Sequence, residues 1–529
     1  MINETFKQQL KELLNCDLKA LYPLARELNR KLYFFVGPTN SGKTYSALEE
    51  LKKADTGTYL APLRLLALEN YETLINSNTP ASLITGEEEI LDEDAGHMCS
   101  TIEMINYNLE VDVCVIDEVQ MLDDEDRGWA WVNAILGSPA KKVIMTGSVN
   151  ALDIVKKICS YLDEPLEIRK FKRKNPLEVL STHTNLKDIQ DFTALIAFSR
   201  NDVLKLKAKL SKFHTVSVLY GNLSPEVRKE EAKRFREGES KILIATDAIA
   251  MGLNLPIKTL LFTTDTKFDG ISKRKLKPNE VIQIAGRAGR YGQHEIGQIG
   301  ATSKGVLDHI NTMFHSPMST IKSPVKVKAT QSQVEELSTF LNTKNLTKIL
   351  NYFSKHMKYD GPFLATNIKN MLELSVMLDK RSELSLQDKY MLSSAPINTR
   401  SPLIKNGYIR YVNAVLKNKV VRYESTSRIR GVARTQQELL IAEDEVKNIS
   451  LYLWLSYKLP TLFPDKEKAE YIRAQINTFC ENSLKSNKQL RPTQRDNRKR
   501  VFSRDRKKEH ENKEKSHSRN KRRERRSRV

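Results

Sequence analysis

No apolar run in this 529-residue chain is long enough to cross a bilayer as a helix. The N-terminal stretch MINETFKQQLKELLNCDLKAL lacks the apolar centre of a secretory leader. It also lacks the acid-poor composition of a transit peptide, because Glu4, Glu12 and Asp17 punctuate it. A structured N-terminal helix is expected, in a cytoplasmic protein with no membrane attachment. Cysteine is scarce: Cys16, Cys99, Cys114, Cys159 and Cys480 are scattered, with no pair at metal-ligand spacing. That excludes a disulfide framework and fits a reducing compartment. No short-period internal repeat is visible.

Positive charge is abundant. The net charge is +21 and the pI is near 9.5, a balance that points to a polyanion, nucleic acid first. The charge is uneven: Arg491–Val529 holds 18 basic and 6 acidic side chains and almost no apolar ones. Such a segment cannot bury enough surface to fold alone, so a disordered basic tail is expected. It can meet nucleic acid only through phosphates. A solubilising or protein-docking role is the alternative.

The length suggests two to four domains. LYFFV, TYLAP, ASLIT, VDVCVID and KKVIMTG read as buried parallel strands, alternating with helical patterns such as RLLALENYETL and EDRGWAWVNAIL. The charged KFKRKNP (170–176) reads as a connector. The rhythm then restarts with TALIAF, VSVLYG, KILIAT and TLLFTT. Beyond Val325 helical spacing dominates. The expected architecture is α/β: an N-terminal segment (1–30), two tandem parallel-sheet domains (31–172 and 173–324), a mostly helical region (325–484) and the tail (485–529).

Three motifs carry chemistry. GPTNSGKT, comprising Gly37, Pro38, Thr39, Asn40, Ser41, Gly42, Lys43 and Thr44, follows a strand and opens a helix. Its backbone N–H groups can wrap a phosphate; Lys43 would reach the β and γ phosphates and Thr44 would ligate Mg²⁺. VCVIDEVQML delivers Asp117 and Glu118 to a strand end. Asp117 is placed to hold Mg²⁺ and Glu118 to activate water. VIQIAGRAGRYG carries Gln283, Arg287 and Arg290 with no acid beside them. The anion missing from that stretch is explained by a nucleotide γ-phosphate presented across a cleft, for which the planar, always-charged arginine fork is suited.

The ordered set GPTNSGKT, APLRLLALE, STIEM, DEVQ, TGS, TALIAFSR, ATDAIAMGLNL and QIAGRAGR resembles the core of superfamily-two helicases. VGPTNSGKTY, the DEVQ form and KFDG make the chain similar to the mitochondrial degradosome RNA helicases of the Suv-three family and their bacterial relatives. YMLSSAPINTRSPLI and LYLWLSYKLPTLFPD resemble that family's C-terminal region. The likeness covers roughly residues 31–465. It implies RecA-like domains, ATP with Mg²⁺, single-stranded RNA as the track, 3′-to-5′ movement and an exoribonuclease partner. It implies phosphate contacts by Arg64, Thr85, Thr101, Ser199 and Thr246, with Asp247 and Gly252 coupling grip to nucleotide. For each of these contacts a helix cap or ion pair is the plainer alternative. No adenine-reading Gln motif is evident ahead of the phosphate loop. The insert 263–280 would form a strand-separating hairpin, with a solvated loop as the alternative. A nucleotide-switched RNA-remodelling factor and a DNA helicase remain open beside the RNA helicase.

Overall fold

A computed structural model describes residues 14–250, 254–289, 296–397, 399–425, 431–486 and 490–491. The tail beyond Arg491 and most of the expected N-terminal helix lie outside these residues. Two parallel sheets organise the chain. The first runs, edge to edge, Glu89–Ile90, Ala81–Ile84, His97–Thr101, Gly57–Ala61, Val111–Ile116, Ala140–Gly147, Lys31–Val36 and Leu166–Lys170. Only the Glu89–Ile90 edge pairs antiparallel. The second runs Leu177–Val179, Gly297–Ala301, Thr259–Phe262, Thr193–Ile196, Ile242–Ala245 and Val216–Leu219, parallel throughout. Helices cover both faces, so the central strands read as unbroken apolar runs such as VDVCVI and TLLF.

Local chemistry sets the helix starts. The Pro225–Arg236 helix begins with Pro225 in its first turn and Ser224 accepting the Val227 N–H. Thr435 caps the 23-residue Gln436–Lys458 helix in the same way, through the Glu438 N–H.

Three expectations need correction. From Asn15 onward the N-terminal stretch is not one helix: Asn15–Cys16 pairs as a strand with Lys358–Tyr359, and Leu18–Leu21 forms a 3₁₀ turn with Leu18 buried. Ordered structure also extends past residue 485. Lys485 ends the last helix, Leu490 packs on the adjacent core, and Arg491 pairs with Thr435. The region after Val325 is helical but not one body. Ile321, Val325, Val327 and Phe363 share the core of the first sheet. From Leu374 to Leu484 the helices share a core with Val203, Val218 and Tyr220 of the second. Between them the Gln331–Phe340 and Leu346–His356 helices form a core of their own. The C-terminal region therefore straddles both sheets.

An ion pair between half-buried Arg200 and buried Glu443 fastens the second sheet to the C-terminal helices. Arg200 donates Nε and Nη2 to the Glu443 carboxylate at 2.8 and 2.9 Å. Tyr220 Oη and Asn222 Nδ2 each donate to the same carboxylate at 2.7 Å. Glu443 is thus saturated with donors, as a buried charge must be.

Candidate active site

The phosphate loop sits where the Lys31–Val36 strand ends and the Lys43–Lys52 helix begins. Gly42, at φ +86°, makes the left-handed turn that opens this helix with its N–H groups facing the loop. Lys43 Nζ donates to the Pro38 carbonyl at 2.8 Å, so the loop closes on its own cation. Burial lowers the Lys43 ammonium, with Glu118 and Asp117 opposing. Ser41 Oγ is buried with no hydrogen-bond partner.

Asp117 is buried at the end of the Val111–Ile116 strand. Thr44 Oγ1 donates to it at 3.0 Å, Tyr59 Oη at 2.7 Å, and Thr146 Oγ1 donates as well. Burial, then the Glu118 charge, raises its pKa; the three hydroxyls oppose the shift. A buried carboxylate beside a threonine hydroxyl is the hard-oxygen donor chemistry that Mg²⁺ takes. Glu118 holds a left-handed backbone, φ +55°, a conformation that costs a non-glycine residue on the order of 1 kcal/mol. It accepts a hydrogen bond from Gln120.

The second sheet meets this loop directly. Arg287 is 8% exposed and its Nη2 lies 3.6 Å from Glu118 Oε1. The same group donates to the Ala250 carbonyl, and Arg287 Nε has no partner. Asn40 Nδ2 donates to the Gly286 carbonyl at 3.0 Å. Gly286 is needed there, because a Cβ would stand 2.7 Å from Thr39 Cβ. Gln283 lies half-buried on the Pro278–Ala285 helix leading to Gly286. Arg290 and Gly252 lie outside the described residues. Asp247, after the Ile242–Ala245 strand, accepts from Lys267 rather than from the loop.

Arg173 was not singled out by sequence. It donates to Thr39 O at 3.0 Å, to Gly286 O at 2.7 Å and to Gly289 O at 3.0 Å, pinning both sides of the interface. Burial, then the Arg287 charge, lowers its pKa to about 10. The run KFKRKNP reads as a charged connector, and no local pattern marks its middle arginine as half-buried at an interface.

A cleft of about 840 Å³ opens between the first sheet, the 263–280 insert and the C-terminal helices. Arg64 and Thr101 line it, at carboxyl ends of strands of the first sheet, with Trp129, Lys328, Arg400 and Trp454. Six cationic and six anionic side chains line this cleft, and several cations are already paired. Arg64 meets Glu87, and Glu87 also binds Arg473 at 3.1 Å. Arg127 donates to Glu103 at 2.7 Å. Burial pulls the Lys328 ammonium down to about 8 as it sits 3.8 Å above the Trp129 ring. Three expected contacts are occupied locally. Thr85 Oγ1 accepts the Glu88 N–H, Ser199 caps the Arg200–Leu210 helix, and Thr246 Oγ1 accepts the Ala248 N–H. The insert is a hairpin, with Thr266–Phe268 antiparallel to Lys273–Lys275 and its tip at Asp269–Ile271 in the cleft wall.

Comparison with known proteins agrees with this arrangement. Residues 19–171 match the DEXQ-box helicase domain of Suv3 and residues 172–292 the helicase conserved C-terminal domain. Residues 373–407 match Suv3 C-terminal domain 1, and 439–486 the ATP-dependent RNA helicase SUV3 C-terminal domain. The chain is 34% identical to the mitochondrial DExH-box ATP-dependent RNA helicase DExH16 of Arabidopsis thaliana, over 88% of this chain and 83% of that one. It is 33% identical to the mitochondrial ATP-dependent RNA helicase SUV3 of Oryza sativa subsp. japonica, over 88% and 81%. The Candida albicans SUV3 matches at 34%, over 88% and 69%. All three are named as mitochondrial, which overturns the cytoplasmic expectation. Asp17, one of the acids that spoke against a transit peptide, belongs to folded structure: Asn15–Cys16 is a paired strand and Asp17 caps the 3₁₀ turn. No helix among the described residues is long and apolar enough to cross a membrane. The chain belongs to the Suv3 family of ATP-dependent RNA helicases.

Proposed function

We propose that ATP draws the two sheets together around single-stranded RNA, that hydrolysis releases them, and that the cycle moves the protein 3′ to 5′ in support of RNA degradation. The motor is two domains, 31–172 and 173–324. One observation carries this reading: Arg287 of the second sheet is buried against Glu118 of the first with its Nε unpaired. A buried guanidinium with spare donors beside a phosphate loop is poised for an anion.

In this mechanism the loop Gly37, Pro38, Thr39, Asn40, Ser41 and Gly42 cradles the phosphates with its N–H groups. Lys43 leaves Pro38 for the β and γ oxygens. Thr44 and Asp117 would hold Mg²⁺, which would supply neutralisation of the phosphate charge. Glu118, released from Arg287, takes the proton of the attacking water. Gln283, Arg287 and Arg290 complete the γ-phosphate site from the second sheet, and Asp247 and Gly252 relay its state. Because donors come from both sheets, turnover requires closure.

Arg64 and Thr101 face RNA in the cleft, and phosphates compete with Glu87 for Arg64. Thr85, Ser199 and Thr246 contribute through the turns they hold, whose N–H groups can meet phosphate. Backbone gripping of this kind gives little sequence preference. The 263–280 hairpin splits the duplex, and the freed strand passes to an exoribonuclease.

Strand displacement on RNA duplexes with one overhang tests polarity. ATP-dependent separation should appear with a 3′ overhang and be absent with a 5′ overhang. The opposite preference would overturn the direction. Separation of only the shortest duplexes, independent of overhang, would favour a remodelling factor.

A further inference from the structure

The hairpin is too short to hold its own position. It has three cross-strand pairs, and a two-stranded ribbon of that length is not stable alone. One of those pairs sets Lys267 directly opposite Arg274. Like charges in that position push the strands apart. Glu280 lies between them: Arg274 donates to both its oxygens at 2.8 and 2.9 Å, and Lys267 Nζ lies 3.1 Å away. Lys267 also donates to Asp247 Oδ2 at 2.8 Å. Burial opposes the Glu280 charge, but Arg274, the Lys277 N–H and Lys267 outweigh it and lower its pKa to about 2.

Both acids belong to elements that adjoin Arg287. Asp247 opens the Asp247–Ala250 turn, whose last carbonyl accepts from Arg287. Glu280 lies in the first turn of the Pro278–Ala285 helix, which leads through Gly286 to Arg287. At the far end of the hairpin, Asp269 accepts the Ile271 and Ser272 N–H groups and shapes the tip. Ile271 stands 86% exposed there, with Phe268 also exposed.

We propose that Lys267 is the positioning residue through which the ATP site sets the hairpin. It clamps the Thr266–Phe268 strand to the two elements that hold Arg287. When Arg287 moves between Glu118 and a γ-phosphate, turn and helix carry the hairpin tip with them. This rests on the hairpin being the strand separator, and the test is built to part the two claims.

Lys267→Met, Lys267→Arg and a tip variant, Ile271→Asp, are compared with the unaltered chain. The readouts are RNA-stimulated ATP turnover and base pairs opened per ATP. Lys267→Met should keep turnover within about twofold, while base pairs per ATP fall by about tenfold, the size of a typical coupling. Lys267→Arg should restore most of the loss, since it keeps a donor for both acids. Ile271→Asp should lose unwinding. If Ile271→Asp unwinds poorly and Lys267→Met unwinds normally, the separator stands and the coupling fails. If turnover and unwinding fall together in Lys267→Met, Lys267 only supports the ATP site and the proposal is overturned. If both variants unwind normally, the separator reading itself fails.

Discussion

Arg287→Ala should cut kcat for RNA-stimulated ATP hydrolysis by about 10³-fold or more, as loss of an arginine finger does in other phosphate-loop enzymes. ATP binding should change far less. The expectation follows from position: Arg287 reaches the first sheet from the second and has an unpaired, buried Nε. A contact made fully only when the γ-phosphate carries transition-state charge lowers kcat when removed, not ground-state affinity. Steady-state kinetics with saturating RNA, alongside a melting curve, checks it. An unchanged kcat with weakened RNA binding would put this arginine on nucleic acid. The same assay on Arg290→Ala separates the roles of the two arginines.

Glu443→Leu should destabilise the protein by about 3–5 kcal/mol, because it leaves the half-buried Arg200 guanidinium without its carboxylate, with only the Gln436 carbonyl 3.4 Å away. Tyr220 and Asn222 lose their acceptor as well. The pair Arg200→Leu with Glu443→Leu should recover much of that loss, since no orphan charge remains. Denaturant melts of the two single variants and the double variant measure the coupling. Additive losses would mean the pair is not a unit. The consequence reaches function, since this pair fixes the C-terminal helices to the second sheet and so sets the far wall of the cleft.

The two-sheet architecture was readable because each central strand is buried on both faces, and runs such as VDVCVI and TLLF cannot be surface. The phosphate loop and the Asp117–Glu118 pair were readable for a related reason. Their spacing is set by one strand end and one helix start, so local sequence determines the geometry. Arg173 was not readable, because the carbonyls it binds, of Thr39 and Gly286, are distant in sequence. The Val325–Val327 strand pairs with Phe363–Ala365 across an intervening pair of helices, which no local period reports. His97–Thr101 went unassigned because His, Ser and Thr dilute its pattern, yet it is central enough to bury Cys99 fully. Thr85, Ser199 and Thr246 were named by motif alone, and their local bonds were not readable. The Thr85 and Ser199 hydroxyls donate to Glu88 O and Asp202 Oδ2, while Thr246 Oγ1 accepts the Ala248 N–H, uses that short polar side chains favour in turns.

The central claim is that ATP turnover requires the two sheets to close on each other. Energy transfer between a donor at Leu109→Cys, on the first sheet's body, and an acceptor at Phe213→Cys, on the second's, reads that closure directly. Both positions are exposed, and four of the five native thiols are buried. With single-stranded RNA and ATP held as its beryllium fluoride mimic, one high-transfer state is expected. Exchange to ADP should shift the population to lower transfer, and Arg287→Ala should weaken the closed state. Equal transfer with the mimic, with ADP and without nucleotide would contradict the account.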